Sequence, residues 1–141
     1  IAASAKHFCA NNKEVNRLDS DSIVSERALR EIYLKGFEIC VKESQPWTVM
    51  SSYNIVNGVR ASENYDTITN ILRGEWGYEG MVTTDWSNHA EQYKELKAGN
   101  DIKMPAGDQD GVMKALADGN ITRPEIEVCV KRILEMIMKI D

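Results

Sequence analysis

Polar and apolar positions along the chain follow two rhythms. Short apolar or β-branched runs that open into polar residues, as over 48–54 and Met81–Thr84, read as buried strands of a parallel sheet, whereas apolar residues recurring three and four apart read as helices. In chain order, residues 1–8 form a first strand that ends on Lys6, His7 and Phe8, and a polar loop follows over 11–17. Asp21 or Ser22 is expected to cap a helix of about 20 residues. Its apolar face would carry Val24, Ala28, Ile32, Gly36 and Cys40, with Leu29, Tyr33 and Phe37 beside them. Residues 48–54 make the second strand, Asn57-Gly58 marks a turn, and a helix over 67–76 stops at Gly77. After the third strand, Met81–Thr84, come a helix over 91–98 ended by Gly99 and a fourth strand over 101–104 closed by Pro105 and Gly107. A helix over 110–118 stops at Gly119. The box Thr122-Arg123-Pro124-Glu125 opens the last helix, whose apolar stripe is Ile126, Val130, Ile133, Ile137 and Ile140.

Strands alternating with helices imply parallel strands joined by helical crossovers, an α/β fold. Four such units are half of an eight-fold barrel, which takes about 250 residues. Half a barrel cannot close its sheet. The chain is therefore read either as a complete, open, doubly wound sheet or as the second half of a (β/α)8 TIM-type barrel, incomplete in this chain. On the second reading residues 1–141 are a single partial domain.

Composition narrows the function. The 141 residues are 43% hydrophobic, enough for a core, and the net charge of −5 is interspersed without a basic stripe, so nucleic acid is not an expected partner. No apolar run nears the roughly 18 residues a bilayer span needs, so no membrane partner is expected either. The start, Ile1-Ala2-Ala3-Ser4-Ala5-Lys6, has no initiator Met and no basic leader, and it reads as the middle of a sequence rather than a signal peptide. Cys9, Cys40 and Cys129 are odd in number and widely spaced, which fits unpaired thiols and favours a reducing, cytoplasmic setting. With only His7 and His89 as imidazoles, neither a metal site nor any other cofactor is expected.

Candidate chemistry collects where the strands end. Lys6 and His7 follow the first strand, with Arg17 on its loop; Met50 and Tyr53 belong to the second and Asp85 and Trp86 to the third. In a parallel barrel these ends share one rim, where ligands bind. Asp85 could simply cap the next helix. Together, however, the residues offer cations and an imidazole for hydroxyls, an indole for the apolar face of a pyranose, and one carboxylate, which is what a sugar site needs. Cys9, close to His7, lacks a third orienting group and is set aside as a nucleophile.

Several blocks carry a resemblance. Residues 6–17 (Lys-His-Phe-Cys-Ala-Asn-Asn-Lys-Glu-Val-Asn-Arg), 25–34 (Ser-Glu-Arg-Ala-Leu-Arg-Glu-Ile-Tyr-Leu), 50–54 (Met-Ser-Ser-Tyr-Asn), 72–77 (Leu-Arg-Gly-Glu-Trp-Gly) and Thr84-Asp85-Trp86 resemble glycoside hydrolase family 3 of the β-glucosidase type, nearly end to end. The resemblance implies that the first half of the barrel precedes residue 1. It makes Asp85 the nucleophile of a retaining hydrolysis. Lys6, His7, Arg17 and Tyr53 would bind the hydroxyls of a terminal β-glucosyl or β-xylosyl residue, with Met50 and Trp86 packing around it. The substrate would be a β-linked oligosaccharide or aryl glycoside.

A retaining glycosidase needs a second carboxyl about 5–5.5 Å from the first. The resemblance places it on an α/β sandwich domain, which this chain lacks. Glu14 is expected to pair with Arg17 or Lys13, and Glu75 and Glu79 fall at the far end of the third strand. The isolated fragment is therefore expected to hydrolyse little or nothing. Cys9-Ala10-Asn11-Asn12 replaces the Pro-Gly-His-Gly run of the N-acetylglucosaminidase branch, which disfavours that branch. Lys13 stands where Gln is frequent in glucosidase relatives, outside every assigned role. Relatives with the sandwich before the barrel make Asp141 a candidate natural carboxyl terminus. The alternative function is a non-catalytic carbohydrate-binding or scaffold domain derived from the same barrel.

Overall fold

The computed structural model describes residues 2–140, so Ile1 and Asp141, with the expectations attached to them, lie outside the described residues. The strand-and-helix alternation yields a parallel sheet of β1 (Ser4–Phe8), β3 (Thr48–Ser51) and β6 (Met81–Thr84) in the order β1-β3-β6. Lys6 lies opposite Met50, and Met50 opposite Thr83. The neighbouring positions Val49 and Val82 are fully buried, so these strands present one face to a packed core and the other to the Lys6, Met50 and Thr83 row. The predicted fourth strand over 101–104 is reduced to one parallel bridge between Ile102 and Thr83. Met104 is drawn off the ladder, its amide donating to the Thr84 hydroxyl at 2.9 Å. Among the described residues the sheet is thus open at β1 and at Ile102.

The first crossover corrects the sequence reading. Its N-cap is Ser25, whose hydroxyl accepts from the Ala28 amide, because Asp21 and Ser22 are held in the short strand β2 (Asp21–Ser22). The helical run comprises α1 (Glu26–Ala28), a π turn (Leu29–Tyr33) and α2 (Lys35–Ser44). In the π turn the Leu34 amide donates five residues back, to the Leu29 carbonyl, at 2.8 Å. That extra residue rotates the buried face onto Leu29, Leu34 and Val41, with Phe37 against it, and leaves Ile32 67% exposed.

Asn57-Gly58 is the tip of a hairpin rather than an isolated turn. Both residues have positive φ, 49° and 86°, and they join β4 (Ile55–Val56) antiparallel to β5 (Val59–Arg60); β2 pairs with β4. The second crossover is the π-helical segment Asp66–Glu75, which buries Ile68, Ile71 and Leu72 and ends as expected at Gly77, φ 66°. Phe8 sits at the centre of the core. It meets Phe37 at 5.1 Å and Trp76 at 6.1 Å, both edge-to-face.

Helices α3 (Gln92–Ala98), α4 (Gln109–Ala117) and α5 (Arg123–Ile140) follow, the first ending at Gly99 with φ 92°. The predicted box is present: Glu125 accepts from the Thr122 amide at 2.7 Å. The buried residue of α5 is Cys129, packed with Leu96, Ala115 and Ile121, while Val130, Ile137 and Ile140 stay exposed. The face is offset because Arg132, three residues beyond Cys129, is drawn inward to Asp101 at 3.1 Å. Asp101 joins the sheet to its helices: Arg73 donates to it at 2.7 Å, and so does the Val82 amide.

Candidate active site at the strand ends

The carboxyl ends of β1, β3 and β6 bring the predicted residues together from three separate stretches. Asp85 follows β6 directly, anchored because its amide donates to the Ser51 carbonyl at 3.2 Å. Its side chain is 15% exposed, and one carboxylate oxygen lies 3.4 Å from His7 Nε2. The other accepts from the Trp86 amide at 2.7 Å. His7 comes from β1, where the register against β3 shifts between Lys6 and Phe8; the Lys6–His7 and Phe8–Cys9 peptides are cis.

Tyr53 closes the second side. Its ring is buried, and its hydroxyl donates to the Trp86 carbonyl at 2.6 Å. Burial, and then the neighbouring Asp85 carboxylate, push the phenol above its usual range, so it remains a donor. The Arg17 guanidinium stacks 4.8 Å from the Tyr53 ring centre while pairing with Glu14 at 2.9 Å. Arg17 is therefore tied to the site through an aromatic ring rather than a direct contact with Asp85. Lys6 and Met50 sit side by side on the adjoining sheet face, Lys6 exposed. Trp86 is 55% exposed, a free indole beside the carboxylate.

The three glutamates weighed as the acid partner of Asp85 are paired or lie away from the rim. Glu14 is held by Arg17, and Glu75 takes both terminal nitrogens of Arg30 at 2.7 and 2.9 Å. Glu79 sits at the opposite end of β6, its amide turned to Gln45. The Cys9 thiol is buried and pushed up to about 12 by that burial, which makes it inert as a nucleophile. Among the described residues, no three His, Cys, Asp or Glu side chains converge on a metal position. No helix among them is long and apolar enough to cross a membrane.

The sequence reading passed over one group. Asn88, Glu95 and Lys103 form a buried polar cluster behind the turn that carries Trp86. A signal existed in the pattern, since Glu95 falls on the same helical face as the buried Leu96 and Ala98, where a charge needs a partner.

The sequence model described as the glycosyl hydrolase family 3 N terminal domain matches residues 1–136. Beta-glucosidase A of Butyrivibrio fibrisolvens is 54% identical over 127 residues, covering 90% of this chain and 15% of that protein. An exo-alpha-(1->6)-L-arabinopyranosidase of Bifidobacterium breve is 41% identical over 140 residues, covering 99% and 18%. Beta-glucosidase 3B of Thermotoga neapolitana, solved in complex with glucose, superposes with a TM-score of 0.92 at 46% identity, covering 97% of this chain and 21% of that one. The chain thus spans about a fifth or less of the length of these relatives.

Proposed function

The chain belongs to glycosyl hydrolase family 3, and from that membership we propose that it supplies the nucleophile half-site of a retaining β-glycosidase. The observation that carries the reading is the position of Asp85: a partly exposed carboxylate at the end of a parallel strand, 3.4 Å from His7 and beside a buried tyrosine. In a retaining reaction such a carboxylate attacks the anomeric carbon as the glycosidic oxygen departs with a proton from an acid. Water, deprotonated by the same acid's conjugate base, then releases the sugar from Asp85. Lys6, His7, Arg17 and Tyr53 would take the sugar hydroxyls, and Met50 and Trp86 its apolar face.

The acid belongs to a part of the enzyme outside this chain, since the glutamates at hand are paired or at the wrong end of β6. The open edges of the sheet, at β1 and Ile102, support the half-barrel reading: further strands would close it. An α/β sandwich domain would bring the acid/base. The substrate class is a terminal β-glucoside or β-xyloside, with glucose favoured by the glucose-bound relative.

The test is covalent trapping. The full-length protein carrying this chain is treated with a 2-deoxy-2-fluoro β-glucoside and digested, and the adduct is located by mass spectrometry. Labelling of Asp85 is expected. An unlabelled protein that still binds the sugar would favour a binding domain instead.

A further inference from the structure

Beyond Asp85 the chain turns sharply, with Ser87 at φ 56°, before it enters α3. This turn displays Trp86, and it is fastened on both sides. The segment after α3 runs alongside it: the Thr84 amide donates to the Ile102 carbonyl at 3.0 Å, and the Ser87 amide to the Met104 carbonyl at 3.0 Å. Lys103 lies between those two ties and reaches under the turn. Its ammonium donates to Asn88 Oδ1, to the Ala90 carbonyl at 3.0 Å and to Glu95 Oε2 at 3.0 Å, which engages all three of its protons. Glu95, 1% exposed, takes Lys103 on one oxygen and the Asn88 amide nitrogen on the other at 2.6 Å. From the far side the Glu91 amide donates to Glu63 at 2.7 Å.

Two charges have been withdrawn from water to build this cluster, the pair being 12% and 2% exposed. A well-packed apolar pair would hold α3 against the sheet at least as firmly, because desolvation offsets most of the gain from a buried ion pair. What a saturated charged cluster adds is direction, since each donor has one acceptor and the turn has one conformation. We propose that Lys103, Glu95 and Asn88 are positioning residues that fix the Asp85–Trp86 turn, holding the carboxylate on the line of attack and the indole over the sugar; this rests on the reading of Asp85 as nucleophile. Lys103 and Glu95 are withdrawn behind the turn, 12% and 2% exposed. Their effect is on where Asp85 and Trp86 point, and displacements of about 1 Å can lower rates by up to about 10²-fold.

The experiment compares the full-length protein with its K103M, N88A and E95Q/K103M variants. It reads the rate of trapping by the 2-deoxy-2-fluoro β-glucoside, the melting temperature, and amide exchange over residues 86–91. K103M is expected to slow trapping by about tenfold to 10²-fold and to speed exchange in the turn alone. In E95Q/K103M the amide introduced in place of the Glu95 carboxylate can pair reciprocally with the Asn88 amide, so trapping should return to within about threefold of the parent. N88A leaves the ion pair intact and should slow trapping even if K103M fails to fold. A lowered melting temperature with unchanged trapping and unchanged exchange in N88A and in any folded K103M would overturn the proposal. An adduct at a residue other than Asp85 in the parent would strike the nucleophile reading instead, and faster exchange confined to the turn would still support the positioning role.

Discussion

Two aspartates at opposite ends of the same sheet show how one chemical group serves two ends. Asp101 is wholly buried and takes Arg73, Arg132 and the Val82 amide, so its carboxylate is saturated by the protein. Asp85 is partly exposed and has one close donor, the Trp86 amide, with His7 at 3.4 Å. A saturated carboxylate holds elements together and can do nothing else. An unsaturated one facing a rim retains lone pairs for a ligand, and chemistry needs that.

Neutralising each aspartate in turn, in the full-length protein, should separate the two roles. Asp85→Ala should lower kcat by about 10⁴-fold or more, the scale seen when a nucleophile is removed, while the denaturation midpoint barely moves. Retained turnover would end Asp85's claim. Asp101→Asn should do the reverse. It leaves Arg73 buried without its carboxylate and should cost about 3–5 kcal/mol in urea unfolding, with kcat of the folded protein unchanged.

Two thiols extend the contrast to pH. Burial pushes both Cys9, behind the rim, and Cys129, beside Asp101, from 9.0 up to about 12. Between those values the unfolded chain has lost protons that the folded one keeps. Stability therefore falls as pH rises from 9 towards 12, by about 1.4 kcal/mol per pH unit for each thiol. Because the Asp101 charge adds to the shift at Cys129 and not at Cys9, Asp101→Asn should lower the pKa of Cys129 and leave that of Cys9 in place, read from thiolate absorbance of the folded protein. The smallest effect belongs to neither region. Glu125→Ala removes the acceptor of the Thr122 amide and should cost about 0.5–1 kcal/mol, measured as a drop in melting temperature.

How much of this could be read beforehand follows from how local each signal is. β6 was legible because four apolar and β-branched residues in a row need no distant partner to be a buried strand. Gly77, Gly99 and Gly119 marked helix ends because each adopts a positive φ. The rim was legible through the rule that ligands meet parallel strands at their carboxyl ends, which set His7, Tyr53 and Asp85 side by side. Features that depend on tertiary demand were not. One added residue at Leu29–Tyr33 turns a helix face, and Arg132 drawn to Asp101 offsets the stripe of α5. The Lys103–Glu95 pair escaped because charges eight residues apart look like surface until the turn between them is folded.

The π turn has a consequence for how this stretch tolerates changes in length. A one-residue deletion inside a helix normally swings everything beyond it by about 100°. Here the chain already holds one residue too many between Leu29 and Leu34. Removing the exposed Ile32 would leave these two leucines four apart, still on one face, and the rest of the run would keep its seat. Most single-codon losses in the crossover should ruin the fold, and this one should pass almost unnoticed.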